Sequence, residues 1–204
     1  MESMVSIESD VGEQFEDFFR TDDWSTFKIG ADYYLNNAAM LLKKDINHCE
    51  NNLKLLFRNI QKRIYIGIAC EFLLKATYLK LGYVINKRKD NNDPAGNFPF
   101  KHQDVSQDKF SKKNTVMLND LLQTLFSIVD FKTERSVVEK GLRIGKVFRN
   151  KEGHVICPSH EYVAQNYRDI EESLKVIYKV VFNQSLNISI AFAEGDVGLF
   201  EIDS

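Results

Sequence analysis

The chain has 204 residues, of which 44% are apolar and 27% charged, the proportions of a soluble globular domain with extensions. Three prolines and ten glycines are too few for an all-β fold with many turns, which favours helices. A net charge of −2 excludes bulk attraction to nucleic acid, so any RNA contact must come from a local basic surface.

Met1 to Asp23 carries eight acidic residues against one Arg, and reads as an acidic extension rather than a basic-then-apolar leader. A first long helix is expected from Ser25, taken as its N-cap, to about Asp45. Phe27, Ile29, Tyr33, Tyr34, Ala38, Met40, Leu41 and Leu42 would form one broad apolar face. A second helix is expected from about Asn51 to Tyr83, with Gly82 at its stop. It becomes apolar on most sides after Ile64, as a central bundle helix would. Residues 64–85 raise a membrane question, but Glu71, Lys75 and Lys80 lie within them, each costing roughly 2.5–3.5 kcal/mol at a bilayer centre.

Residues 86–114 have no sustained periodicity and read as an insert or long loop. From Ile85 to Thr115, Lys87, Arg88, Lys89, Lys101, Lys109, Lys112 and Lys113 stand against four Asp, a local excess of three positive charges. The same run is compatible with a solvated loop. A short helix follows at about Val116–Val129, then one at about Thr133–Arg149 with Val137, Val138, Leu142, Ile144, Val147 and Phe148 facing inward. The last helix opens at Ser159 and continues to Val181. In the tail, Leu186, Ile188, Ile190 and Phe192 alternate with small or polar residues, and Leu199–Ile202 would pair back as a second strand.

The expected fold is therefore mainly α: an up-and-down bundle of about five helices, with the long insert and a small C-terminal β-hairpin. Residues 1–23 would be the extension, 24–183 the helical domain and 184–204 the tail. Cys49, Cys70 and Cys157 are odd in number and widely spaced, giving no disulfide framework; a cytoplasmic location is expected.

Arg149, Asn150 and His154 fall at the junction between two expected helices. A guanidinium offers planar, permanently charged donors to a phosphate or a developing phosphorane. An imidazole exchanges protons near neutral pH, with a ribose 2′-OH or a 5′ leaving oxygen. Asn150 can orient sugar, phosphate or backbone. With eight Arg and four His, chance alone gives about 0.5 matches to Arg-x4–6-His; requiring Asn after the Arg lowers that to about 0.04. The plainer reading is a structural helix end with a satisfied His. Glu71, flanked by Ile68, Phe72 and Leu74, is costly to bury unless paired, and Lys75 one turn on is an available partner.

The stretch Ala69-Cys70-Glu71-Phe72-Leu73-Leu74-Lys75-Ala76, with Gly82 six residues later, resembles the second helix of HEPN domains. Arg149-Asn150-Lys151-Glu152-Gly153-His154 resembles that family's Arg-x4–6-His motif, and the two occur in the family's order over roughly residues 24–183. The resemblance implies a helical bundle that dimerises, bringing two Arg/His motifs into one cleft. It implies metal-independent endoribonuclease activity leaving 2′,3′-cyclic phosphate and 5′-OH ends, in toxin–antitoxin or antiphage defence, with an antitoxin or regulatory protein as a further partner. Arg149 would stabilise phosphate charge, His154 would be acid or base, and Asn150 would position the site. Glu71 and Lys75 would support it, and Lys87, Arg88, Lys89, Lys112, Lys113 and Lys151 would contact RNA. No cofactor or metal is expected. Some minimal members place a Tyr two residues after the His; Ile156 stands there, so that mode of regulation does not carry over, although Tyr162 is near.

Two other readings compete. His154, Cys157 and His160 form His-x2-Cys-x2-His, but structural zinc normally takes four ligands and no second pair follows. A non-catalytic dimeric binding or regulatory module would also use such a bundle. Nucleophilic hydrolase chemistry has no motif here: GxSxG, a Walker loop and HExxH are all missing.

Overall fold

The computed structural model describes residues 23–43, 52–89, 98–104, 106, 109–151 and 160–191. Helix α1 runs Trp24–Lys43 and α2 runs Asn52–Lys80. Strands β1 (Asn86–Arg88) and β2 (Phe110–Thr115) follow. Helices α3 (Leu118–Ile128), α4 (Arg135–Lys151) and α5 (His160–Phe182) complete the order. The architecture is mainly helical, as the sequence predicts, and its small antiparallel hairpin is built from the insert, β1 with β2.

Four long helices form the bundle, and side-chain pairs fix their directions. Trp24 lies beside Lys80 and Tyr34 beside Tyr65, so α1 and α2 are antiparallel. Gly145 meets Cys70 and Gly67 meets Arg149, which makes α2 and α4 antiparallel. Val138 meets Ser173 and Phe148 meets Tyr167, which does the same for α4 and α5. Trp24 against Phe182 and Asp32 against Tyr178 close the ring between α5 and α1. The helices run up, down, up, down around a core that includes Leu35, Ile66, Leu73, Leu121, Leu142, Ile170 and Leu174. Between Leu73 and Leu79 every residue of α2 is buried, which is why that stretch has no polar face. Among the described residues, no helix is long and apolar enough to cross a membrane.

Helix ends follow local chemistry. Asp23, not Ser25, caps α1: its Oδ1 accepts the Ser25 N–H at 2.8 Å, and its Oδ2 accepts the Ser25 hydroxyl. Those bonds hold the Asp23 carboxyl below its ordinary range. At the other end of α2, Gly82 adopts φ +80°, and the N–H groups of Gly82 and Tyr83 reach back to the carbonyls of Leu79 and Tyr78. That reverse pattern needs a left-handed residue just past the helix, so α2 stops at Lys80 and not at Tyr83.

Several expected faces are narrower than the sequence suggests. Phe27, Ala31, Leu35 and Ala38 make the buried stripe of α1, whereas Ile29, Tyr33 and Met40 face outward. These three lie within about 40° of one another on the helix and form an outward apolar strip, in which Tyr33 meets the neighbouring Tyr34 ring edge-on. On α4, Val147 is exposed because it sits nine residues, about 180°, from buried Val138. The insert is not structureless: β1 and β2 pair antiparallel, with Asn86 opposite Thr115 and Arg88 opposite Phe110, across an irregular register. His102–Asp104 adds a 3-10 turn.

The tail departs from expectation in its partner. Leu186, Ile188 and Ile190 do turn inward, but onto the helices, and residues 184–191 form no strand. Residues 1–22, Ser159 and Leu199–Ile202 lie outside the described residues.

Candidate active site

The site begins with two glycines. A glycine inside a helix costs roughly 1 kcal/mol relative to alanine, so its presence there marks a close approach. A Cβ on Gly67 would lie 2.5 Å from the Arg149 backbone nitrogen and 2.7 Å from its Cα. A Cβ on Gly145 would lie 2.6 Å from the Cys70 sulfur. Helix α4 is therefore seated directly on α2, with the Arg149 backbone one turn before Glu71. Cys70, enclosed beneath, has its thiol pushed up to about 12 by burial.

From that seat, Arg149 Nε donates to Glu71 Oε2 at 2.7 Å. Lys75 Nζ holds the other carboxylate oxygen at 2.9 Å. The Glu71 and Lys75 side chains are 13% and 9% exposed, while Arg149 is 47% exposed. Burial pushes the Glu71 carboxyl up, but Lys75 and then Arg149 more than offset it and hold the group below its ordinary range. The triad thus has two cations on one carboxylate and a surplus positive charge at its exposed end. Arg149 Nη1 lies 3.4 Å from Asn150 Oδ1, a long contact. Among the described residues, Arg149 Nη2 takes no hydrogen bond. A carboxylate holding Nε while the terminal nitrogens face outward leaves a guanidinium oriented for an anion.

Of the residues expected from sequence, the structure brings together Glu71, Lys75, Arg149 and Asn150. His154 lies outside the described residues, as does Cys157, and nothing is described of the side chains of Lys112, Lys113, Lys151 and His160. Lys87, Arg88 and Lys89 belong to the insert hairpin, beyond the end of α2. Nine residues of helix, about 14 Å, separate Glu71 from Lys80 before that insert begins. Arg88 is also engaged with the Phe100 ring, 5.4 Å from its centroid. Among the described residues, no group of three or more His, Cys, Asp or Glu is placed to hold a metal ion.

Sequence reading missed the seat itself. Gly67 and Gly145 carried the signal, as glycines in the interior of long apolar-faced helices. It also missed a second charged cluster on α2, at Lys62, whose partners come from residues more than a hundred positions away.

No protein-family model, no curated protein and no solved structure matches this chain.

Proposed function

We propose that the chain is a metal-independent endoribonuclease of the HEPN type, acting in toxin–antitoxin or antiphage defence and working as a homodimer in the cytoplasm. The observation that carries this reading is the 2.7 Å contact from Arg149 to Glu71, with the guanidinium exposed and the triad carrying surplus positive charge. The two segments that resemble the family, Glu71 to Ala76 and Arg149 to His154, meet at that contact.

In the proposed reaction His154 removes the ribose 2′-OH proton, and the freed oxygen forms a bond to phosphorus. The P–O5′ bond breaks, leaving a 2′,3′-cyclic phosphate, and the departing oxygen takes a proton to become a 5′-OH. Arg149 stabilises charge on the phosphoryl oxygens, and Asn150 positions the strand. A dimer would bring two such motifs into one cleft, and an antitoxin or regulatory protein would hold the activity in check.

A second reading, a non-catalytic dimeric binding module, is favoured by the outward apolar strip of Ile29, Tyr33 and Met40. RNA incubated in EDTA with wild type, Arg149→Ala and His154→Ala decides between them. Cleavage by wild type alone, with cyclic-phosphate ends, supports the nuclease. Folded wild type that leaves varied RNAs intact, alone and with any co-purified partner removed, supports the module.

A further inference from the structure

On the side of α2 opposite Glu71, nine residues and about 180° away, Lys62 is 2% exposed. Its Nζ lies 3.9 Å from the centroid of the Tyr167 ring on α5 and donates to the carbonyl of Ile190 at 2.7 Å. Glu171, one turn along α5 from Tyr167, completes the arrangement. Its Oε2 accepts the N–H groups of Ile190 at 2.8 Å and Ala191 at 2.9 Å, and the Ser189 hydroxyl at 3.0 Å. Its Oε1 accepts from Lys175 at 2.6 Å. Ile190 itself is fully buried.

These contacts have the form of peptide recognition. Backbone donors and an acceptor of one extended segment are each met by a side chain, and an alternate side chain enters an apolar seat. Yet the recognised segment belongs to the same chain and reaches the seam after α5 has ended at Phe182. Ile190 enters the core, but the backbone of the segment is held by side chains of α2 and α5 and not by pairing with a strand.

We propose that the α2–α5 seam is a built receptor for an extended peptide, occupied here by Ser189–Ile190–Ala191, and that the tail is a releasable strap gating access to the Lys62 amine. With the strap seated, the Lys62 amine is closed off by the Ile190 carbonyl and the Tyr167 ring. With it lifted, Lys62 loses that carbonyl and its amine becomes more accessible, and the Glu171 oxygen that held the strap is left open to another extended segment. The proposal is independent of the nuclease reading.

Amide hydrogen exchange and lysine acylation on the full chain test the strap together. The Ile190 and Ala191 amides are expected to exchange on the order of 10- to 100-fold more slowly than in an unstructured peptide, the range that charge-assisted hydrogen bonds give. Acetic anhydride at neutral pH should modify Lys62 far more slowly than exposed Lys132. Glu171→Ala and Ile190→Asp should abolish the amide protection and raise Lys62 acylation by a similar factor, because one opening governs both. The Ile190→Asp substitution lies outside every helix, so it keeps the test decisive if Glu171→Ala disturbs α5. Unprotected Ile190 and Ala191 amides in the wild type would overturn the proposal. So would protection that survives Ile190→Asp, or acylation of Lys62 that does not rise when the protection is lost.

Discussion

Removing Glu71 and removing Arg149 should have very different consequences, although the two residues share one ion pair. Lys75 is nearly enclosed, and Glu71 is its only carboxylate partner among the described ion pairs. In Glu71→Ala the ammonium stays buried with its counter-charge gone, and breaking a buried pair from one side costs about 3–5 kcal/mol. In Arg149→Ala the carboxylate keeps Lys75, and what is lost is a half-exposed pair worth about 1 kcal/mol or less. For a domain of this size, 1 kcal/mol moves the unfolding temperature by about 2–4 °C. Glu71→Ala should therefore lower Tm by roughly 6 °C or more, and Arg149→Ala by no more than about 4 °C. Thermal unfolding followed by far-UV circular dichroism, with the fluorescence of the single Trp24 as a second probe, measures both, and urea denaturation gives the free energies. The double substitution Glu71→Met with Lys75→Met should recover most of the loss, because a buried pair replaced by apolar side chains is often neutral. The reasoning fails if Glu71→Ala is no more costly than Arg149→Ala, or if the double variant is worse than Glu71→Ala alone. The asymmetry also matters for activity: it makes Arg149→Ala a variant whose loss of cleavage would reflect chemistry and not unfolding.

Because the Glu71 carboxyl is held below its ordinary range, its contribution is complete above the unfolded carboxylate range and is lost as pH falls through the folded value. Wild type should thus lose more stability between pH 6 and pH 3 than Glu71→Gln does, read from urea midpoints at each pH. Gly67→Ala places a methyl against the Arg149 backbone, so it should cost about 1–3 kcal/mol by overpacking and abolish any Arg149-dependent cleavage. Gly82→Ala meets no atom within 4 Å and strains only its left-handed backbone, so about 1 kcal/mol and intact activity are expected. The strap should tighten as pH rises. Burial, with Arg63 adding to it, lowers the Lys62 amine to about 6 despite the opposing charge of Glu171, so the seated form excludes a proton that the lifted form takes up. Described residues 184–191 bring no titratable side chain to face it. Protection of the Ile190 amide should rise by up to about tenfold per pH unit between 6 and 10.5, and Lys62→Met should flatten that profile.

The long helices were legible because their apolar positions recur at helical spacing and few prolines interrupt them. The width of their buried faces was not. Ile29, Tyr33 and Met40 fit the α1 pattern as well as Phe27 or Leu35, and only the positions of α2 and α5 decide which stripe is covered. The tail teaches a related lesson. Alternation at Leu186, Ile188 and Ile190 correctly gives an extended segment with one apolar side, but period two does not say whether that side meets a strand or a pair of helices. The insert was unreadable because β1 spans three residues and pairs across an irregular register, too short for any periodic signal. Within the candidate site, the cost of burying Glu71 pointed to a partner, and Lys75 one turn on was available. That Arg149 binds as well, one cation on each carboxylate oxygen, follows from the Gly67 seat and not from any local pattern.

Among the described residues, helix α2 carries two enclosed lysines under opposite conditions. Lys75 has a carboxylate one turn away on its own helix, so the pair forms whenever α2 forms and leaves Arg149 a fixed electrostatic support. Lys62 has no acidic residue within a helical turn on either side, and Glu171, whose charge acts on it, already accepts two backbone amides and two side chains. Its hydrogen bond to Ile190 depends on the tail being in place, and the tail is held in turn by the Glu171 carboxylate. One helix therefore bears a permanent charged site on the face toward α4 and a conditional one on the face toward α5. The ring pair Phe148–Tyr167, at 5.7 Å between centroids, lies between them. A perturbation of the strap should lower the urea midpoint only by what the burial of Ile190 contributes, while altering Lys62 directly. A perturbation at Glu71 should move the whole unfolding transition, because the cooperative core contains that pair.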